Sequence, residues 1–135
     1  MLTDEQKSRM IRSALASRQH AYAPYSNYAV GAALLTKSGT IFTGVNVENA
    51  AYPTGTCAER VAVFKAVSEG EKEFEAIVVA SNNGGTPCGA CRQVLSEFGL
   101  ETQVIIVDSD GKLVLESTVG ELLPGAFTPK DLPPK

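Results

Sequence analysis

Three cysteines are the whole thiol complement of this 135-residue chain, and they fall into one pattern. Cys57-Ala58-Glu59-Arg60 comes first, and Pro87-Cys88-Gly89-Ala90-Cys91 follows roughly thirty residues later. A Cys-x-x-Cys pair plus one further cysteine offers three soft donors, which suits tetrahedral zinc with its fourth position open. Glu59 places a carboxylate two residues from the first donor. Three ligands, an open position and an adjacent acid are the parts needed to activate water on a metal. The rival reading makes Cys57 a small core residue and Cys88 with Cys91 a thioredoxin-like redox pair. That reading leaves Cys57 and Glu59 without a task.

A closed structural zinc site wants four protein ligands, and there is no fourth cysteine. The one histidine, His20, falls near the end of the first expected helix, where the dipole favours a surface cation. The fourth position is therefore expected to go to water and the site to be catalytic. Zinc with three thiolates carries a net negative charge, so something must withdraw electron density from the sulfurs. Both cysteine clusters lie at expected helix starts, where unpaired amides and the dipole stabilise anions. Arg60, three residues past Cys57, is a candidate donor to a thiolate; the plain alternative is a solvated helix charge. Glu59 in a closed pocket can carry a proton from water to substrate.

The elements that must position these residues follow from periodicity and punctuation. Thr3 and Gln6 have capping-box spacing, and Met10, Ile11, Ala14 and Leu15 mark one face of a helix over about 4–21. Strands are expected at 28–36 and 41–47, joined as a hairpin through Lys37-Ser38-Gly39-Thr40. A helix over 57–69 ends at Gly70, and the apolar run 76–80 reads as a strand buried on both faces. A third helix over 89–98 and strands at 104–107 and 113–115 complete the order, before a proline-rich tail that is extended or short-helical. The strand–helix–strand crossover at 76–107 implies a parallel pair. The fold expected is α/β, a three-layer α/β/α sandwich on a mixed five-stranded sheet, as one domain over 1–135.

Composition narrows the function classes. Hydrophobic content of 44% with 20% charged residues is that of a globular chain, and the net charge of −3 argues against a phosphate-gripping nucleic-acid binder. No apolar run is long enough for a membrane span, and the first residues do not read as a secretory signal. With an odd, small number of cysteines, the expected location is the cytoplasm, where thiols stay reduced.

The chain resembles the cytidine deaminase family in its small, three-cysteine form. The zinc deaminase signature, His-x-Glu followed by Pro-Cys-x-x-Cys, is held by Cys57-Ala58-Glu59 and Pro87-Cys88-Gly89-Ala90-Cys91-Arg92-Gln93, with Cys57 replacing histidine. The likeness continues through Pro24-Tyr25-Ser26, Val30-Gly31-Ala32-Ala33-Leu34, Asn46-Val47-Glu48-Asn49-Ala50 and Leu122-Leu123-Pro124-Gly125-Ala126-Phe127, covering nearly the full length. It implies hydrolytic removal of the 4-amino group of cytidine and deoxycytidine in pyrimidine salvage, giving uridine or deoxyuridine and ammonia. It implies one zinc per chain on Cys57, Cys88 and Cys91, with Glu59 protonating N3 and then the leaving amine.

Substrate-binding positions carried over with the resemblance are Tyr28, Asn46, Val47, Glu48, Ala58 and Phe127. Asn46 and Glu48 match the family's ribose-binding pair, and as i and i+2 at a strand end they point to one face. The resemblance also implies a homotetramer, in which Phe127 reaches a neighbour's pocket and covers the base. Two features depart from the family: Tyr28 stands where phenylalanine is usual, and Pro53-Thr54-Gly55-Thr56 differs before the first ligand. Blasticidin S deaminases share the zinc pattern, but Asn46-Val47-Glu48-Asn49 favours an ordinary nucleoside.

Overall fold

The structure, a computed structural model, describes residues 2–134. Helix α1 (Asp4–Arg18) opens on the expected capping box: the Thr3 hydroxyl accepts from the Gln6 amide, and the Gln6 side chain accepts from the Thr3 amide. The hairpin β1 (Gly31–Thr36) and β2 (Ile41–Val45) follows, then α2 (Ala58–Ser68), β3 (Phe74–Ala80), α3 (Gly89–Ser96), β4 (Gln103–Val107), β5 (Leu113–Thr118) and the one-turn α4 (Val119–Leu122). The five strands form one sheet in the order β2-β1-β3-β4-β5. β3 and β4 pair in parallel, as the crossover through α3 requires, and the other neighbours are antiparallel.

Alternation along the central strands divides the core in two. Ala32, Leu34, Ile77, Val79, Val104 and Ile106 face the layer of α2 and α3, where they meet Ala62, Val63 and Leu95. Ala33, Leu35, Val78, Ile105 and Val107 face Met10 and Ala14 of α1. This is the three-layer sandwich expected, and its two buried sheet faces explain why 76–80 has no polar alternation.

Small residues set how closely the layers approach. A Cβ added at Gly44 of β2 would overlap the Ala58 carbonyl and lie 2.6 Å from Ala62 N, so α2 crosses the strand at backbone contact. The two strands that run into the cysteine segments, β2 and β3, point the same way, since each is antiparallel to β1. Helices α2 and α3 therefore both begin at one end of the sheet. That common end gathers the site.

Several boundaries differ from expectation. α1 stops at Arg18, with turns through His20, because the apolar face ends at Leu15 and nothing beyond it is buried. The first strand starts at Gly31 rather than Tyr28, because the Asn46 side chain replaces a strand there: its amide donates to Tyr28 O at 2.7 Å and accepts from Val30 N at 2.9 Å. β5 runs on to Thr118 as an edge strand whose polar residues carry no apolar signal.

Candidate metal centre and active site

Cys57 and Cys88 are the N-cap residues of α2 and α3, each with extended backbone at the positive end of its helix dipole. Cys91 is buried one turn into α3. The Sγ atoms of Cys57 and Cys88 lie 3.9 Å apart and those of Cys88 and Cys91 3.4 Å, with all three within 4.8 Å of one another. Tetrahedral zinc with thiolates at about 2.3 Å requires sulfurs about 3.8 Å apart. Donor chemistry and spacing therefore both fit zinc. His20 is exposed beyond α1 and outside this cluster.

The charge around the sulfurs supports the same fit. Arg60 Nη2 lies 3.5 Å from Cys57 Sγ, and Arg60 Nε is buried without a hydrogen-bond partner. A guanidinium beside a sulfur favours the thiolate form. Cys57 is drawn down to about 5, first by its hydrogen bond with Cys91, against desolvation, with Arg60 and Cys88 adding to the effect. Cys91 is pushed up, since it shares its proton with Cys57 and is desolvated. Opposite shifts on neighbouring thiols describe one shared negative charge, and a cation among them would favour thiolate at all three.

Glu59 is 5% exposed on the first turn of α2, and its carboxyl is raised to about 7. Burial is the largest cause and the Cys57 charge adds to it, while the helix-start amide and Arg60 pull the other way. It lines a cavity of about 320 Å³ together with Tyr28, Asn46, Glu48, Ala58 and Cys88. Ser26, Val30, Val79, Ser81, Gly85, Thr86 and Cys57 complete the lining. A more open cavity of about 490 Å³ adjoins it, sharing Ser26, Asn46, Glu48 and Cys57 and adding Val47, Tyr52 and Arg60.

Of the residues singled out in the sequence, Tyr28, Asn46, Glu48, Ala58 and Glu59 thus meet beside the three cysteines, while Val47 belongs to the outer cavity. Phe127 lines neither; it is 56% exposed, and its carbonyl accepts from Gln93 Nε2. Glu48 is already engaged: Oε1 accepts from Tyr25 N at 3.0 Å and Ser26 N at 3.1 Å, and Oε2 from the Ser26 hydroxyl. Those bonds, the hydroxyl first, hold its carboxyl below the usual carboxylate range.

Sequence reasoning gave no task to Ser81 or Asn83. Ser81 Oγ accepts from Gly84 N and Gly85 N, and the Tyr28 hydroxyl lies 2.9 Å from it and 2.6 Å from Asn83 Oδ1. The Tyr28 hydroxyl has one proton to donate, and both oxygens lie within reach of it. The hydroxyl that sets Tyr28 apart from phenylalanine is therefore satisfied. Its only sequence signal was the need of a buried phenol for a partner.

The family model for the cytidine and deoxycytidylate deaminase zinc-binding region matches residues 4–107. The chain belongs to the cytidine deaminase family. A cytidine deaminase of Sporosarcina psychrophila is 46% identical over 126 residues, covering 92% of this chain and 93% of that one. A probable cytidine deaminase of Dictyostelium discoideum is 49% identical over 134 residues, covering 97% and 90%. The crystal structure of a cytidine deaminase from Burkholderia pseudomallei aligns with TM-score 0.85 at 44% identity, over 93% of this chain and 100% of that one. A zinc-dependent enzyme of this family accounts for the three-cysteine cluster.

Proposed function

We propose that residues 1–135 act as one domain that hydrolytically deaminates cytidine and deoxycytidine, as a step of pyrimidine salvage in the cytoplasm. The observation that carries this reading is the buried Glu59 carboxyl lining one cavity with Cys57 and Cys88, whose sulfurs form a zinc-competent cluster with that of Cys91. Zinc on Cys57, Cys88 and Cys91 would supply an open position where water is acidified and held for attack.

Glu59 takes a proton from the attacking water and gives it to N3 of the pyrimidine as the new C–O bond forms at C4. The remaining proton of that oxygen passes through Glu59 to the 4-amino group, the C4–N bond breaks, and ammonia leaves with uridine as the other product. A proton affinity near neutrality suits a group that must both accept and donate. Arg60 draws electron density from the Cys57 sulfur, offsetting the excess negative charge of three thiolates.

Tyr28 walls the base, held by Ser81 and Asn83, and Ala58 lines the cavity beside Glu59. Asn46 and Glu48 receive the sugar with side chains already fixed by the loop at 25–30, and Val47 lies on the outer side. The assembly is a homotetramer in which Phe127 of one chain covers a neighbour's pocket; its exposed ring, clear of its own cavity, supports that reading. Among the described residues no helix is long and apolar enough to cross a membrane. The net charge of −3 disfavours nucleic acid.

Ultraviolet-monitored turnover of cytidine, deoxycytidine, free cytosine and blasticidin S tests the assignment. The two nucleosides are expected to be turned over fastest. Preference for blasticidin S, or no turnover by zinc-loaded protein, contradicts it.

A further inference from the structure

Two residues of the second cysteine motif, Arg92 and Gln93, have no part in the chemistry above. Arg92 directly follows Cys91 in α3, and its guanidinium meets three acceptors from separate places. Nε donates to Pro87 O at 2.8 Å, Nη2 to Thr86 Oγ1 at 3.0 Å, and Nη1 to Leu122 O at 2.8 Å. Thr86 and Pro87 are the last residues before Cys88, whereas Leu122 ends α4, thirty residues further along the chain from Arg92. Gln93 Nε2 then donates to Phe127 O at 2.9 Å.

The three acceptors share one feature: each is poorly served by its own element. The Leu122 carbonyl belongs to the last turn of a helix, which has no internal partner. The Thr86–Pro87 carbonyl and hydroxyl lie in a loop rather than a ladder. A guanidinium suits this arrangement because its donors lie in one rigid plane and are always charged, whereas lysine offers a point charge. Bonds from a charged donor are about twice as strong as neutral ones.

We propose that Arg92 is a positioning residue that makes the C-terminal segment part of the metal centre's support. One side chain steadies the approach to Cys88 and the carbonyl from which the segment to Phe127 departs, and Gln93 extends the strap to Phe127 itself. Loosening the tail at Leu122 therefore loosens a metal ligand, and metal loading stiffens the tail from that point. The consequence for substrate rests on the reading of Phe127 as a neighbour's pocket cover; the consequence for metal does not.

The test uses the zinc-loaded full chain and reads zinc transfer to a chromogenic chelator, hydrogen exchange over 122–128, and absorption of the cobalt-substituted protein. In Arg92→Ala, zinc release is expected to quicken by roughly 10–100-fold, the scale of losses beyond the ligands themselves. Exchange over 122–128 should quicken with it, and the cobalt bands, which report sulfur geometry, should shift. Arg92→Lys, able to serve fewer acceptors at once, should fall between, and it carries the test if Arg92→Ala does not fold. Gln93→Ala should free 127–128 while leaving zinc release unchanged. A lowered melting temperature with unaltered zinc release and cobalt spectrum in the folded Arg92 variants overturns the proposal, because it leaves Arg92 a stabilising contact only. Failure of the Phe127 reading shows separately, as an unchanged KM for cytidine in Phe127→Ala with the Arg92 results intact.

Discussion

Glu59 and Cys57 share the start of α2, so the carboxylate proposed to move protons sits in the field of a candidate metal ligand. Glu59→Gln keeps the shape and removes the titration. Zinc content and melting temperature should stay near those of the parent while turnover falls by at least ~10²–10⁴-fold, the usual worth of one general acid–base group. Steady-state assays beside elemental analysis check this, and near-normal turnover rejects the role. Glu48→Ala should weaken cytidine more than free cytosine, since a hydrogen bond to a charged acceptor is worth roughly 1.5–3 kcal/mol and only the nucleoside has the hydroxyl. Because Glu48 also holds Tyr25 and Ser26, cytosine turnover should fall as well, by less. Equal losses would leave Glu48 a loop anchor alone. At this scale the ligands were legible because metal chemistry demands particular residue types at particular spacings. Ser81 and Asn83 were not, because the Tyr28 hydroxyl that they meet lies more than fifty residues away in the chain, which leaves no local pattern.

The elements that bring these side chains together depend on close approach of α2 to the sheet. Gly44→Ala would push a methyl into the Ala58 carbonyl, at the turn that carries Glu59. Overpacking of this kind costs typically about 1–3 kcal/mol and more where backbone must shift. The midpoint of urea unfolding should therefore drop, with zinc affinity falling too as Cys57 and Glu59 are displaced. An unchanged midpoint would mean that α2 is free to move away. Buried elements were readable from the chain: β3, β4 and the capped start of α1 all match their apolar or capping signals. The end of β5 and the start of β1 were not. One is a polar edge, and at the other the Asn46 amide stands in for a strand.

At the scale of the molecule, a one-turn α4 and the tail beyond it leave Phe127 and Leu132 exposed, at 56% and 59%. Light scattering at assay concentration should give the mass of four chains. Mixing Glu59→Gln with Phe127→Ala chains should then restore activity, because one site would draw its acid and its cover from different subunits. A fully active monomer excludes that sharing. Zinc titration bears on the central claim, that three sulfurs and one buried carboxyl make a hydrolytic centre. Chelator-stripped protein is titrated with zinc while loss of cytidine absorbance is followed. Activity absent at the start, rising linearly and stopping at one zinc per chain is the predicted result; full turnover by metal-free protein would contradict it.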